Sequence, residues 1–387
     1  MDFSLNKEQK DIKKAAREFV EKQIVPYADE WDEQHYYPYK EVVKKMGELS
    51  FFGCCLPEDY GGNDFGFLAQ MIITEEIARG SSSMRVVINM QALGTALSIY
   101  RYGSEVLKQT YISKLMTAEY LGCFAITEPD AGSDVMAIKT TAEDKEDYFL
   151  LNGSKTWISQ VTLADVVLVY AYTDHSMKSK GMSAFLVEPK NMSGVSTTTL
   201  DKLGTRSLPT GEIFFDNVKV PKENLVGNLG DGVKILFSSL CQTRLSAAAG
   251  AIGVAQACLE VATKYAKERE QFGEPIGKQQ MIQDTIAKMA IEIEAARLMV
   301  YKAAWQKDQG MLGNNLEVAH AKYIAGEAAV HCADSAMRIL SAYGYSTEYP
   351  AARYLRDAYA YPVVEGTANI CKWITALDQL GYRRANR

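Results

Sequence analysis

One carboxylate stands apart in this chain of 387 residues. The stretch YPVVEGTANI, residues 361–370, sets Glu365 behind two valines and ahead of a Gly-Thr pair. A charged side chain in apolar company needs a partner or a task, because leaving water costs it solvation. A solvated loop glutamate is the plain alternative. Three other stretches have residue types that suit a ligand. In CFAITEPDAGSDVMAIKTT (123–141), Thr127, Ser133 and Thr140 interleave with turn residues beside a β-rich run. Such a loop can offer N–H groups and hydroxyls to a phosphate or a ring edge, or be an ordinary turn with an Asp cap. In SKTWISQ (154–160), Trp157 and Ser159 place an aromatic beside a hydroxyl, suited to stack on and bond a flat ligand, or simply to fill a core. In REQFGEPIGKQQ (269–280), Arg269 could meet a pyrophosphate or merely cap a helix.

Other chemistries are disfavoured. The four histidines, at 35, 175, 320 and 331, form no HxxxH or HExxH pair, so neither a zinc site nor a serine-type triad is expected. His331 beside Cys332, in an Ala-rich run, reads as packing rather than ligation. Seven scattered cysteines without a CxxC pair point to a reducing compartment and core thiols. No GxGxxG follows a strand and no GxxxxGK[ST] occurs, and GNLGDG (227–232) reads as turn chemistry. A net charge of −6 leaves no basic footprint for nucleic acid or an anionic membrane. No window approaches the roughly 18 consecutive apolar residues of a span. The polar N-terminus resembles neither a signal nor a transit peptide, so a cytoplasmic protein without membrane insertion is expected.

The elements that must position these residues fall into three textures, giving an α+β, mainly helical fold. Residues 1–118 read as a helical domain, with a Gly/Pro break at FFGCCLPEDYGGNDFG. Residues 119–228 read as a β domain, with strands expected at 165–173, 182–189 and 211–220. Asn152-Gly153, between apolar runs, predicts a hairpin turn. Residues 229–387 read as a helical bundle. Leu245, Ala248, Ile252, Ala255, Leu259 and Ala262 form one apolar stripe, and Ile282, Ile286, Met289, Ile293, Ala296 and Val300 form another. Ala248, Gly250 and Gly253 would let helices approach closely.

Taken together, ITEPDAGSD, GSKTWIS, EREQFG, YSTEYPAARYLRDA and VEGTANI resemble the flavin-dependent acyl-CoA dehydrogenases, in that family's order and spacing. The resemblance spans essentially the whole chain and implies an N-terminal helical domain, a middle β-barrel or sandwich and a C-terminal four-helix bundle. It implies FAD, an acyl-CoA substrate, electron-transfer flavoprotein as electron acceptor, and a homotetramer. Thr127, Trp157 and Ser159 match positions lining the flavin, and Ser133 matches a hydroxyl where flavin and coenzyme A meet. Arg269 and Phe272 match residues reaching the FAD of a neighbouring subunit; Thr367 and Asn369 match an FAD-contacting end of the EGT stretch. Arg244 matches the arginine of the helix lining the acyl-CoA site. Where the family commonly reads Gln-x-x-Gly-Gly, this chain has Arg338 to Ala342, RILSA. Glu365 falls on the family's base position, taking the α-proton while FAD accepts the β-hydride. Some members carry the base just before the helix arginine; Thr243 stands there, which cannot serve.

The substrate clue lies in ARGSSSMRVVINMQ (78–91), where Arg85 interrupts an apolar helix face. Arg85 either snorkels to solvent, pairs with Glu75 or Glu76, or grips a ligand carboxylate in two parallel bonds. Its position resembles the arginine with which glutaryl-CoA dehydrogenases hold the distal carboxylate. Decarboxylating members of that group typically have Tyr before the base and Glu on the helix ahead of the arginine; this chain has Val364 and Ala78. Oxidation of glutaryl-CoA to glutaconyl-CoA without loss of CO2 is therefore expected. The alternatives are a decarboxylating enzyme giving crotonyl-CoA, a short-chain or cyclic acyl-CoA dehydrogenase, an acyl-CoA oxidase, or a non-catalytic flavoprotein of the same fold.

Overall fold

The computed structural model describes residues 4–382. Helices build the first part, beginning with Lys7–Gln23. Asn6 opens that helix with a reciprocal cap: its side chain accepts from Gln9 N (2.8 Å) while Gln9 Oε1 accepts from Asn6 N (3.0 Å). Ala16, Phe19 and Val20 turn inward from it onto the Gly66–Gly80 helix, which is buried nearly throughout. Ser82–Ile88 follows at once, and the chain then loosens into a π-helical stretch, Asn89–Ala96.

The middle part is one eight-stranded sheet. Its strands are β1 (Gly122–Ala125), β2 (Thr141–Asp144), β3 (Tyr148–Ser159), β4 (Val166–Tyr172), β5 (Met182–Val187), β6 (Val195–Leu200), β7 (Thr210–Pro221) and β8 (Leu225–Val226). The path runs β6-β7-β3-β2-β4-β5-β8, with β1 parallel to β4. β4 and β5 are buried at every position, the unbroken apolar signature of strands covered on both faces. The three strands expected from the sequence form. The hairpin at Asn152-Gly153 does not, because both residues lie inside β3, at a register shift against β7. The turn comes earlier, where Lys145 N bonds Tyr148 O. Gly153 is needed instead for its φ of 139° and for space: a Cβ there would lie 2.6 Å from Thr140 Oγ1.

Long helices complete the molecule: Gly232–Glu268, Gln280–Asp308, Asn315–Leu340 and, after a shorter Ala351–Ala358, the closing Ala368–Gln379. Both predicted stripes face inward, with Leu245, Ala248, Ile252, Met289, Ile293 and Val300 at or near zero exposure. Gly253 lets the Gly232–Glu268 helix meet the Gly66–Gly80 helix backbone to backbone, since a Cβ there would lie 2.2 Å from Glu75 O. On length and hydropathy the Gly232–Glu268 helix could cross a bilayer, yet 78% of its apolar window is buried in the fold, as in a core helix. All seven cysteines are free. His331 departs from the packing expectation: it lies at the surface beside Glu292 (Nδ1 to Oε2, 2.6 Å), and only Cys332 is core.

Candidate active site

Between Ala351–Ala358 and Ala368–Gln379 the chain folds back through a tight turn, with Val364 N on Ala360 O (2.9 Å) and Ala368 N on Pro362 O (2.8 Å). Glu365 and Gly366 at its tip both take left-handed backbone angles, φ 57° and 83°. A glutamate held there stores on the order of 1 kcal/mol of strain, so neighbouring groups must enforce it. Two buried cations do so. Arg244 Nε donates to Glu365 O (2.8 Å) and Lys322 Nζ to Gly366 O (2.6 Å). Burial pushes the Lys322 ammonium down to about 8. The carboxylate itself is oriented by neutral donors: Asn89 Nδ2 on Oε1 (2.7 Å) and Thr243 Oγ1 on Oε2 (2.6 Å). Asn89 is the first residue of the π-helical stretch, a distortion often found at functional sites. Arg244 therefore lies directly behind Glu365, bonded to its backbone. Thr243, in the alternative base seat, serves Glu365 as a donor.

A second group of residues gathers where the PDAGSD turn meets β3. The register of β3 shifts between Lys155 and Ile158, and Trp157 takes φ 59°, so its indole stands 59% exposed between buried Thr156 and Ile158. Ser159 and Thr210 hydroxyls lie beside one another (3.4 Å), and Thr127 O accepts from Thr156 N (2.9 Å). Thr127 and Ser159 are half-buried; Ser133 is exposed on the turn. Behind this ledge sits an ion pair absent from the sequence expectations: Lys155 Nζ to Glu128 Oε1, 2.8 Å, with both side chains buried. Glu128 also accepts from Lys139 N, Thr140 N and Thr140 Oγ1. Burial drives the Lys155 ammonium down to about 8, against the pull of Glu128. Burial also works against the Glu128 carboxylate, but Lys155 prevails and holds its pKa below the ordinary value.

Arg85 neither snorkels nor pairs with the acids near it in sequence; it is 2% exposed. Glu75 is taken by Arg297 (3.0 Å) and Tyr301 (2.8 Å), and Glu76 by Arg17 (2.9 Å) and Arg79 (3.1 Å). Among the described residues no carboxylate lies within ion-pair distance of Arg85, and its Nε is buried without a hydrogen-bond partner. Its guanidinium lies over the ring of Tyr361, 5.2 Å from the centroid. Ala78 is buried and Val364 is partly exposed, 38%.

The remaining expected residues lie elsewhere on the chain. Arg269 and Phe272 occupy the exposed ribbon pairing Glu270–Gln271 with Glu274–Pro275, Phe272 at 96% exposure. Thr367 caps the Ala368–Gln379 helix by accepting from Ile370 N (3.2 Å), and Asn369 is exposed in that helix's first turn. Arg338 is spent on a surface pair with Asp334 (2.7 Å).

Three domain profiles match in succession: the acyl-CoA dehydrogenase N-terminal domain over residues 6–119, the middle domain over 123–218 and the C-terminal domain over 230–378. The chain belongs to the acyl-CoA dehydrogenase family. It is 62% identical to a glutaryl-CoA dehydrogenase of Desulfococcus multivorans, across the full length of both chains. It is 40% identical to a rat mitochondrial short-chain specific acyl-CoA dehydrogenase, over 94% of this chain and 88% of that one. A solved glutaryl-coenzyme A dehydrogenase in complex with glutaryl-CoA superposes with TM-score 0.99 at 62% identity, covering 100% of this chain and 98% of the other. Like its family, this acyl-CoA dehydrogenase is an FAD-dependent oxidoreductase. The ledge on β3 suits that cofactor: an exposed indole on a bulge and the Ser159 and Thr210 hydroxyls beside it offer a stacking face and hydrogen bonds to a flat ring.

The sequence reading did not single out Asn89, Lys322, Tyr361, Glu128 or Lys155. Lys155 and Glu128 carried a signal, as charges inside β-rich runs. Asn89 and Lys322 carried none, because each reaches the site only through tertiary packing.

Proposed function

We propose that this acyl-CoA dehydrogenase oxidises glutaryl-CoA to glutaconyl-CoA and retains the distal carboxylate. The observation that carries this reading is Arg85, a buried guanidinium with no carboxylate partner among the described residues. A guanidinium so enclosed is completed by an anion from outside the chain, and a carboxylate matches its fork. The glutaryl-CoA relative, 62% identical, supports the same substrate.

In this reading Glu365 removes the α-proton, leaving the β-hydride to depart with its electron pair. When bound, FAD supplies the two-electron acceptor for that hydride. Asn89 and Thr243 keep the carboxylate aimed, and Arg244 and Lys322 keep its turn closed, so little reorganisation is left for the reaction. Ala78 and Val364 contribute no hydrogen-bonding group around the substrate's far end. Loss of CO2 requires the distal carboxylate to surrender its charge, and an Arg85 pair with no competing carboxylate among the described residues resists that. The reduced enzyme passes its electrons to an electron-transfer flavoprotein, and the working form is a homotetramer in which Arg269 and Phe272 reach a neighbour's FAD.

The test is a single turnover of the yellow holoenzyme with glutaryl-CoA and an artificial acceptor, with products identified by mass. Glutaconyl-CoA is the expected product. Crotonyl-CoA with CO2 would keep the substrate and overturn retention of the carboxylate. Bleaching with butyryl-CoA but not with glutaryl-CoA would overturn the substrate and favour the short-chain reading.

A further inference from the structure

Arg85 shares its enclosure with two hydroxyls and a glycine. Tyr361, 1% exposed, presents its ring to the guanidinium and its hydroxyl to Ser82 Oγ, 2.8 Å away. Ser82 lies one turn before Arg85 on the same short helix, Ser82–Ile88. Gly250, on the Gly232–Glu268 helix, leaves room for both: a Cβ there would come 2.7 Å from Arg85 Nε and 3.0 Å from the Tyr361 hydroxyl. Two segments distant in sequence thus close on one side chain. Burial pushes the Tyr361 phenol above its ordinary pKa while the Arg85 charge opposes this, so the ring stays neutral.

A buried arginine without an acid partner has no reason, on its own, to keep a single rotamer. A neutral aromatic face attracts the cation without neutralising it, leaving the guanidinium charge available to a ligand. We propose that Tyr361, anchored by Ser82, is a positioning residue that holds Arg85 as the receptor for the distal carboxylate, setting the preference for dicarboxylyl over monocarboxylyl thioesters. This inference rests on the glutaryl-CoA reading. It goes beyond it by assigning specificity to a residue that touches Arg85 rather than the substrate. Tyr361 also lies four residues before Glu365 in the same closed turn, so a merely structural role would disturb the base and the receptor together.

Binding is read by titrating the flavin spectrum of Glu365→Gln holoenzyme, whose flavin reduction is expected to be slowed by about 10³-fold, with glutaryl-CoA and with butyryl-CoA. Tyr361→Leu should weaken glutaryl-CoA by about tenfold and leave butyryl-CoA within about twofold, the loss of a desolvated cation–aromatic contact. Tyr361→Phe and Ser82→Ala keep the ring and break one shared hydrogen bond. Each should cost glutaryl-CoA on the order of threefold, and the double variant no more than either alone. Equal weakening of both thioesters, or no change in any variant, would overturn the role of Tyr361. Arg85→Met separates the two levels. If it weakens glutaryl-CoA selectively while Tyr361→Leu and both conservative variants do not, only the positioning role falls. If it leaves glutaryl-CoA binding unchanged, the substrate reading falls and the positioning role with it.

Discussion

Glu365, the proposed base, owes its setting to residues far from it in sequence. Its two carboxylate donors and the two cations behind its left-handed turn come from three other segments of the chain. Glu365→Gln preserves the shape and the turn but removes the proton acceptor. The flavin should stay oxidised with glutaryl-CoA, the reduction rate falling by about 10³-fold or more as general-base assistance is lost. Stopped-flow bleaching checks this, and a rate within tenfold of the parent enzyme would remove Glu365 from the role. The residue itself was legible in the sequence, because VVEGT puts a charge where charges are rare. Its donors were not: Thr243 was read only as an empty seat for a base, and Asn89 drew no notice at all.

The Glu365 turn, as an element, depends on a lysine that its surroundings do not favour. Lys322 is 1% exposed, and burial depresses its folded pKa to about 8, below the ordinary 10.5. Between those values the unfolded chain holds a proton that the folded chain has released. Stability therefore rises with pH across this window, as the cost of burying the charge is relieved. Lys155, depressed to about 8 in the same way, contributes a similar rise. Lys322→Met should flatten part of that rise, seen as a smaller increase in the thermal midpoint of the holoenzyme between about pH 8 and 10. An unchanged slope would mean that Lys322 does not titrate there. The strand elements carry a complementary lesson. Asn-Gly is a strong local turn signal, yet Gly153 serves close packing against Thr140, and the turn formed in the polar residues before Tyr148 instead.

At the scale of the whole molecule, the proposed tetramer would cover apolar side chains that one chain leaves exposed. Phe272 is 96% exposed at a left-handed position, and Met281 and Ile291 on the neighbouring helix are 84% and 68% exposed. A tetramer with Arg269 and Phe272 reaching a neighbour's FAD predicts a sedimenting mass near four times 42.9 kDa. It also predicts that Phe272→Ser lowers the flavin content retained through gel filtration. A monomer that keeps its full flavin would overturn that arrangement. Two things were determined by the sequence alone. One was the helix–strand–helix order, because periodicity is a local property of the chain. The other was the set of site motifs, because VEGTANI and GSKTWIS place their reactive types contiguously. Tertiary structure decided what local pattern cannot express. It buried Arg85 away from Glu75 and Glu76 by giving those acids to other cations, and it set Tyr361 and Gly250 against that arginine. Whether a charge is neutralised or left for a ligand depends on partners far away in sequence, and only the packed molecule supplies them.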